Sequence, residues 1–97
     1  MRALKDPSLL ETRAYVNGEW IDGPRKFAVE NPATGEVIAE VTDLGAQDVV
    51  RAIDAAYEAK RAWAALPGKE RSIVLRRLFD LMVANADDLA TILTAEM

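Results

Sequence analysis

Cysteine and histidine are both absent from this 97-residue sequence. That excludes disulfides, Cys/His zinc centres and any Cys–His or Ser–His catalytic pair within these residues. The five glycines are scattered, so no Gly-x-Gly-x-x-Gly phosphate cradle is present. No apolar run approaches the length of a membrane span. The opening Met1-Arg2-Ala3-Leu4-Lys5-Asp6-Pro7 lacks the apolar stretch of a signal peptide. The longest basic run is Arg76-Arg77, which a helix places on a solvated face, so neither nucleic acid nor membrane is an expected partner. The expectation is a soluble, cytoplasmic chain.

What is present is ordinary in amount and informative in order. Apolar residues make up 51% and charged residues 29%, the balance of a globular protein, with a net charge of −4. Ninety-seven residues make one small domain or part of a larger one, and a chain of that size buries a limited fraction of its surface. The pattern predicts an α+β chain in three stretches. Residues 1–13 are a short helical lead-in, 14–44 a β arm, and 45–97 a helical part.

The lead-in rests on Asp6 as helix N-cap and Pro7 at the first helical position, with room for about two turns. In the arm, Ala14-Tyr15-Val16 and Glu19-Trp20-Ile21 flank Asn17-Gly18. Asn-Gly between β-formers is a strong hairpin signal, because both central positions of a type I′ turn need positive φ. Phe27-Ala28-Val29-Glu30 and Val37-Ile38-Ala39-Glu40-Val41 alternate as half-buried strands do, with Asp22–Lys26 as a breaker-rich loop before them. The turn Glu30–Glu36 between them is set by Pro32, which pushes Asn31 towards extended geometry, and by Gly35, which permits a left-handed closing residue. Together these pieces read as a small antiparallel meander.

At Gly45 the period changes. Val49, Ile53, Ala56, Ala59, Trp63 and Leu66 recur at three- and four-residue spacing along one helical face. Gly45 serves as N-cap, Asp48 places a carboxylate in the first turn, and Arg51 and Arg61 offset the like-charged pair Asp54–Glu58. Pro67-Gly68 stops this helix. A second helical region opens at Lys69-Glu70-Arg71, carrying Leu75, Leu78, Phe79, Met82, Ala86, Leu89 and Leu93. Val74, Leu81 and Ile92 widen its stripe, which implies burial on more than one side. Asn85 reads as a cap inside the run, accepting from the amides that follow it, with Asp87 and Asp88 in the new first turn. A break is expected there.

No pattern of side chains performs a reaction. Asp87-Asp88 resembles a carboxylate pair, but adjacent helical residues diverge by about 100° and no third ligand is in reach, so a helix-start role is the better reading. Gly68-Lys69 echoes the end of a phosphate loop, yet the required Ser/Thr is Glu70 and the earlier glycine is missing. Trp20 and Trp63 could stack on a ring, but their periodic positions assign them to the core. No catalytic, cofactor-binding or metal-ligating residue is therefore assigned.

Taken in order, the fragments resemble a known family. Tyr15-Val16-Asn17-Gly18-Glu19-Trp20 and Val29-Glu30-Asn31-Pro32-Ala33-Thr34-Gly35-Glu36-Val37-Ile38 are similar to the opening of the aldehyde dehydrogenase superfamily. The resemblance continues through Ala52-Ile53-Asp54-Ala55-Ala56, Trp63, Glu70-Arg71, Leu75-Arg76-Arg77 and Asp88-Leu89-Ala90 to Thr94-Ala95-Glu96-Met97. Leu9-Leu10, Phe79-Asp80-Leu81-Met82 and Asp87-Asp88-Leu89-Ala90 most resemble the bacterial NAD(P)-dependent succinate-semialdehyde branch. The resemblance implies an enzyme several times longer, with a Rossmann-like cofactor domain, a catalytic domain and homo-oligomeric assembly. It also implies oxidation of an aldehyde, succinate semialdehyde foremost, through a cysteine thiohemiacetal, with hydride passing to NAD or NADP. The catalytic cysteine, the glutamate and the cofactor-binding residues of that family have no counterpart here. The chain is thus expected to be an N-terminal fragment, inactive alone. Competing readings are a free-standing hairpin-plus-helices interaction module and a piece of another member such as a betaine-aldehyde type.

Overall fold

The computed structural model describes Met1–Met97. In chain order it contains a 3₁₀ turn (Pro7–Leu9), four strands and three α-helices. The strands are β1 (Ala14–Val16), β2 (Glu19–Ile21), β3 (Lys26–Glu30) and β4 (Val37–Thr42). The helices are α1 (Ala46–Ala65), α2 (Gly68–Ala84) and α3 (Ala86–Glu96). The lead-in is shorter than expected, a single 3₁₀ turn. Its start is as read: the Asp6 carboxylate accepts the Ser8 N–H, with Pro7 next in line.

The strands form two separate two-stranded sheets, β1–β2 and β3–β4, rather than one meander. Breaker residues explain the interruption. Asp22-Gly23-Pro24 takes the chain out of β2, and the Gly23 N–H is spent on Thr42 Oγ1 at 2.6 Å instead of on a strand ladder. The β1–β2 turn is of type I′, with φ of 50° at Asn17 and 78° at Gly18 and Val16 opposite Glu19. In the second turn Asn31 organises the backbone. Its Oδ1 accepts the Ala33 N–H, its carbonyl accepts the Gly35 N–H, and its own N–H donates to Glu36. Gly35 closes it at φ 74°. A register shift at Val29/Glu30 marks a bulge beside this turn.

Helix α1 begins where Asp48 Oδ2 accepts the Gly45 N–H at 3.3 Å. Arg51 pairs with Asp48 at 2.6 Å and so does not offset Asp54 and Glu58 as the spacing suggested. Pro67 separates α1 from α2, which starts one residue early, at Gly68. The expected break falls at Asn85, whose φ/ψ of −112°/18° leaves the helical region. The reason differs from the expected one: the Asn85 side chain does not accept from α3 but donates Nδ2–H to the Leu81 carbonyl at 2.8 Å. It closes the end of α2 rather than opening α3.

Packing is sparse. Only Ala95 and Asp88, both on α3, are buried. The wide stripe of α2 is open along its length, and Trp20 and Trp63, expected in the core, are 49% and 40% exposed. The Cα radius of gyration is 16.5 Å, against about 12.5 Å for a closed domain of this length. No helix is long and apolar enough to cross a membrane.

Candidate functional site

Polar groups from the two ends of the chain converge at the start of α3. Asp88 is 6% exposed, and its two carboxylate oxygens accept the backbone N–H groups of Lys5 and Asp6, each at 2.9 Å. Position in the helix explains the geometry. Adjacent helical residues point about 100° apart, so Asp88 turns inward to the segment Lys5–Asp6 while Asp87 faces solvent. There Asp87 meets only the exposed Lys5 ammonium, at 3.8 Å. The Lys5 N–H, then the Asp6 N–H, hold the Asp88 carboxyl below its usual range. Both oxygens of this carboxylate are engaged by backbone amides, a structural tie rather than an arrangement aimed at a substrate or a metal. The pair read as a helix start is therefore split, with one acid solvated and one a structural clamp.

A second carboxylate, Glu11, is brought down to about 2 by the Arg13 side chain, then by the Arg13 and Thr12 amides. The Glu11 Oε1 to Arg13 Nε distance is 2.9 Å. The same pairing raises Arg13, whose guanidinium lies 5.6 Å from the centre of the Trp20 ring. Trp20 in turn meets Tyr15 edge-on, with ring centroids 4.9 Å apart. The cluster stiffens the first hairpin and presents no nucleophile.

The positive-φ glycines, Gly18 and Gly35, lie at the tips of hairpins with nothing near the position of a Cβ, so neither lines a phosphate cradle. At the N-terminus of α2 the Glu70 and Arg71 amides are taken by the Pro67 carbonyl. No three Asp or Glu side chains gather closely enough to hold a metal ion. One polar atom is out of balance: Arg71 Nε is buried without an acceptor. Sequence reasoning missed both this atom and the Asp88 clamp. The clamp joins positions 82 and 83 residues apart, a relation no local spacing carries.

The aldehyde dehydrogenase family profile matches residues 20–97. The chain is 52% identical over 95 residues to a glutarate-semialdehyde dehydrogenase of Pseudomonas putida, covering 96% of this chain and 20% of that one. It is 43% identical over 95 residues to the succinate-semialdehyde dehydrogenase (NADP(+)) of Escherichia coli, with the same coverage. Among solved structures, succinate-semialdehyde dehydrogenase from Burkholderia pseudomallei superposes with a TM-score of 0.91 at 48% identity, over 97% of this chain and 20% of that one. The chain thus spans about a fifth of the length of the relatives it matches, and its hairpins and helices recur there in the same arrangement. With the profile covering most of its length, the chain belongs to the aldehyde dehydrogenase family.

Proposed function

We propose that residues 1–97 are the N-terminal scaffold of a cytoplasmic NAD(P)-dependent dehydrogenase that oxidises short aldehydes ending in a carboxylate, succinate semialdehyde foremost. Within it, residues 1–13 are a lead-in, 14–44 a β arm and 45–97 a helical layer, and the catalytic centre and cofactor site lie outside them. The whole enzyme is a homo-oligomer. The observation that carries this reading is the identity of about half the residues to relatives named for glutarate and succinate semialdehydes. Those two compounds share an aldehyde and a distal carboxylate and differ by one methylene. Either NAD or NADP serves as acceptor, the latter being part of the Escherichia coli relative's name. The lack of any thiol on this chain supports placing the covalent step elsewhere in the whole protein.

The test is a chimera in which residues 1–97 replace the matching fifth of the Pseudomonas putida relative. Reduction of NAD(P)⁺ is measured with succinate semialdehyde, glutarate semialdehyde and a neutral aldehyde of similar length. The chimera is expected to be active and to keep its parent's order of substrates. One methylene changes kcat/KM by about 10–200-fold when a pocket reads it. A shift of that size in the succinate-to-glutarate ratio would place substrate contacts on this chain and overturn the scaffold reading. Reduction of NAD(P)⁺ by residues 1–97 alone would overturn it as well.

A further inference from the structure

The chain has three asparagines, and the backbone beyond each decides whether its carboxamide can be attacked from within the chain. After Asn31 comes Pro32, which has no N–H, and the Asn31 Oδ1 is already taken by the Ala33 amide at 2.9 Å. After Asn85 comes Ala86, whose Cβ crowds its own nitrogen, and the Asn85 Nδ2 is tied to the Leu81 carbonyl at 2.8 Å. After Asn17 comes Gly18, with no side chain and nothing within 4 Å of where a Cβ would stand. Asp22-Gly23 has the same spacing, but there the Gly23 N–H is held by Thr42 Oγ1 at 2.6 Å, and an ionised carboxylate is a poor electrophile.

The hairpin controls whether Gly18 can reach its target. Asn17 and Gly18 have φ of 50° and 78° between paired Val16 and Glu19. At the first central residue of a type I′ turn ψ is about +30°, which points the next nitrogen away from Cβ. Closing a five-membered ring from Gly18 N to Asn17 Cγ needs ψ turned by about 150°, so the turn must open first. The turn is held shut by the edge-on contact of Tyr15 with Trp20 at 4.9 Å and by the Arg13 guanidinium over Trp20 at 5.6 Å.

We propose that Asn17-Gly18 is a spontaneous modification site gated by its own hairpin, protected while the turn is closed and converted when it opens. Once the Gly18 amide gives its proton to hydroxide, its nitrogen bonds to Asn17 Cγ. The Cγ–Nδ2 bond breaks, and ammonia leaves with a proton from water. Water then opens the cyclic imide at either carbonyl, giving aspartate or isoaspartate at position 17. One water is consumed, one ammonia is released, and nothing is oxidised or reduced. The two products part ways in the fold. Aspartate before glycine still suits a type I′ turn. Isoaspartate routes the main chain through the side-chain carbon, and the extra atom destroys the opposition of Val16 to Glu19 and of Tyr15 to Trp20. That product leaves the hairpin open, so the change is a one-way latch. It stands apart from the scaffold reading and from the substrate of the whole enzyme.

The experiment follows isoaspartate at position 17 by peptide mapping during incubation at mildly alkaline pH. The samples are residues 1–97, the chimera and a peptide of residues 13–22, with Tyr15 and Trp20 chemical shifts reporting whether the hairpin is closed. Conversion in the closed hairpin is expected to be at least about tenfold slower than in the peptide, since it waits on local opening. Urea is expected to bring it up to the peptide's rate. Trp20→Ala, which removes both the Tyr15 contact and the Arg13 stack, is expected to do the same without denaturant. Gly18→Ala should slow conversion in every sample, because its Cβ crowds the attacking nitrogen. Equal rates in closed hairpin and peptide overturn the gate, and so does a rate indifferent to urea or a hairpin open in both chains. A peptide that forms no isoaspartate overturns the site itself. A converted chain that keeps the Tyr15 and Trp20 shifts overturns the latch.

Discussion

The carboxylate of Asp88 and the backbone N–H of Lys5 are 2.9 Å apart and 83 residues apart in sequence. With the companion bond to Asp6, this contact ties the N-terminal segment to α3. Asp88→Ala is expected to free it. In hydrogen exchange the Lys5 and Asp6 amides should speed up by about tenfold or more, while amides within α2 change little, since opening a local tie need not involve the rest. Equal acceleration throughout would show that the clamp holds the whole chain together.

The same clamp sets a pH window. The folded-state pKa of Asp88 is depressed, so its stabilisation is fully present above the ordinary aspartate value of about 4 and is lost as pH falls through the lower folded value. Glu11 behaves alike, with its folded value near 2. Protection of the Lys5 and Asp6 amides should therefore be flat at neutral pH and collapse only in strong acid. The Glu11 contribution should also fade with added salt, because the pair with Arg13 is exposed. Loss of Lys5 and Asp6 protection between neutrality and pH 5 would contradict this assignment.

Gly18 has φ of +78° and open space where a Cβ would stand. The penalty for Gly18→Val is therefore backbone strain alone, about 1–2 kcal/mol, and more for a β-branched side chain than for Asn. Gly18→Asn should retain the first hairpin. Chemical shifts of Tyr15 and Trp20, which meet edge-on across it, report the outcome. An unchanged Gly18→Val spectrum would mean that the turn is not the one seen.

Thr42 links the two hairpins. Its hydroxyl accepts the Gly23 N–H at 2.6 Å and its N–H donates to the Thr12 carbonyl at 2.9 Å. Thr42→Val keeps the shape but strands the Gly23 amide, at a cost of about 1–3 kcal/mol, whereas Thr42→Ser should restore most of it. Exchange of the Gly23 amide measures the difference, and equal rates in the two variants would remove Thr42 from this role.

Both tryptophans are half open, Trp20 at 49% and Trp63 at 40%. Residues 1–97 alone should fluoresce as water-exposed indole. In the chimera Trp63 emission should move to shorter wavelength, since it lies on the apolar face of α1 with Val49 and Ile53. Trp20→Phe isolates the Trp63 signal, and an emission unchanged between chain and chimera would show that Trp63 stays in water in both.

The local chemistry of this chain was legible in its residues because it depends on near neighbours. Asn17-Gly18 specifies a type I′ turn by steric permission alone, Asp6-Pro7 a helical start, and Pro67 a helix stop, and each stands where the residues put it. Family membership was legible for a similar reason, as a series of short motifs in fixed order. Tertiary structure decided what distance along the chain conceals. Whether Asp88 serves its own helix or an amide 83 residues away depends on which segment lies alongside α3. Whether two hairpins join into one sheet depends on where Gly23 spends its N–H, here on Thr42. Periodicity predicted burial for the apolar faces of α1 and α2, which the structure leaves open, because a hydrophobic stripe records only that cover is needed. What covers it is a property of the surface that meets it, which is why Trp63 and Leu78 remain open in this chain.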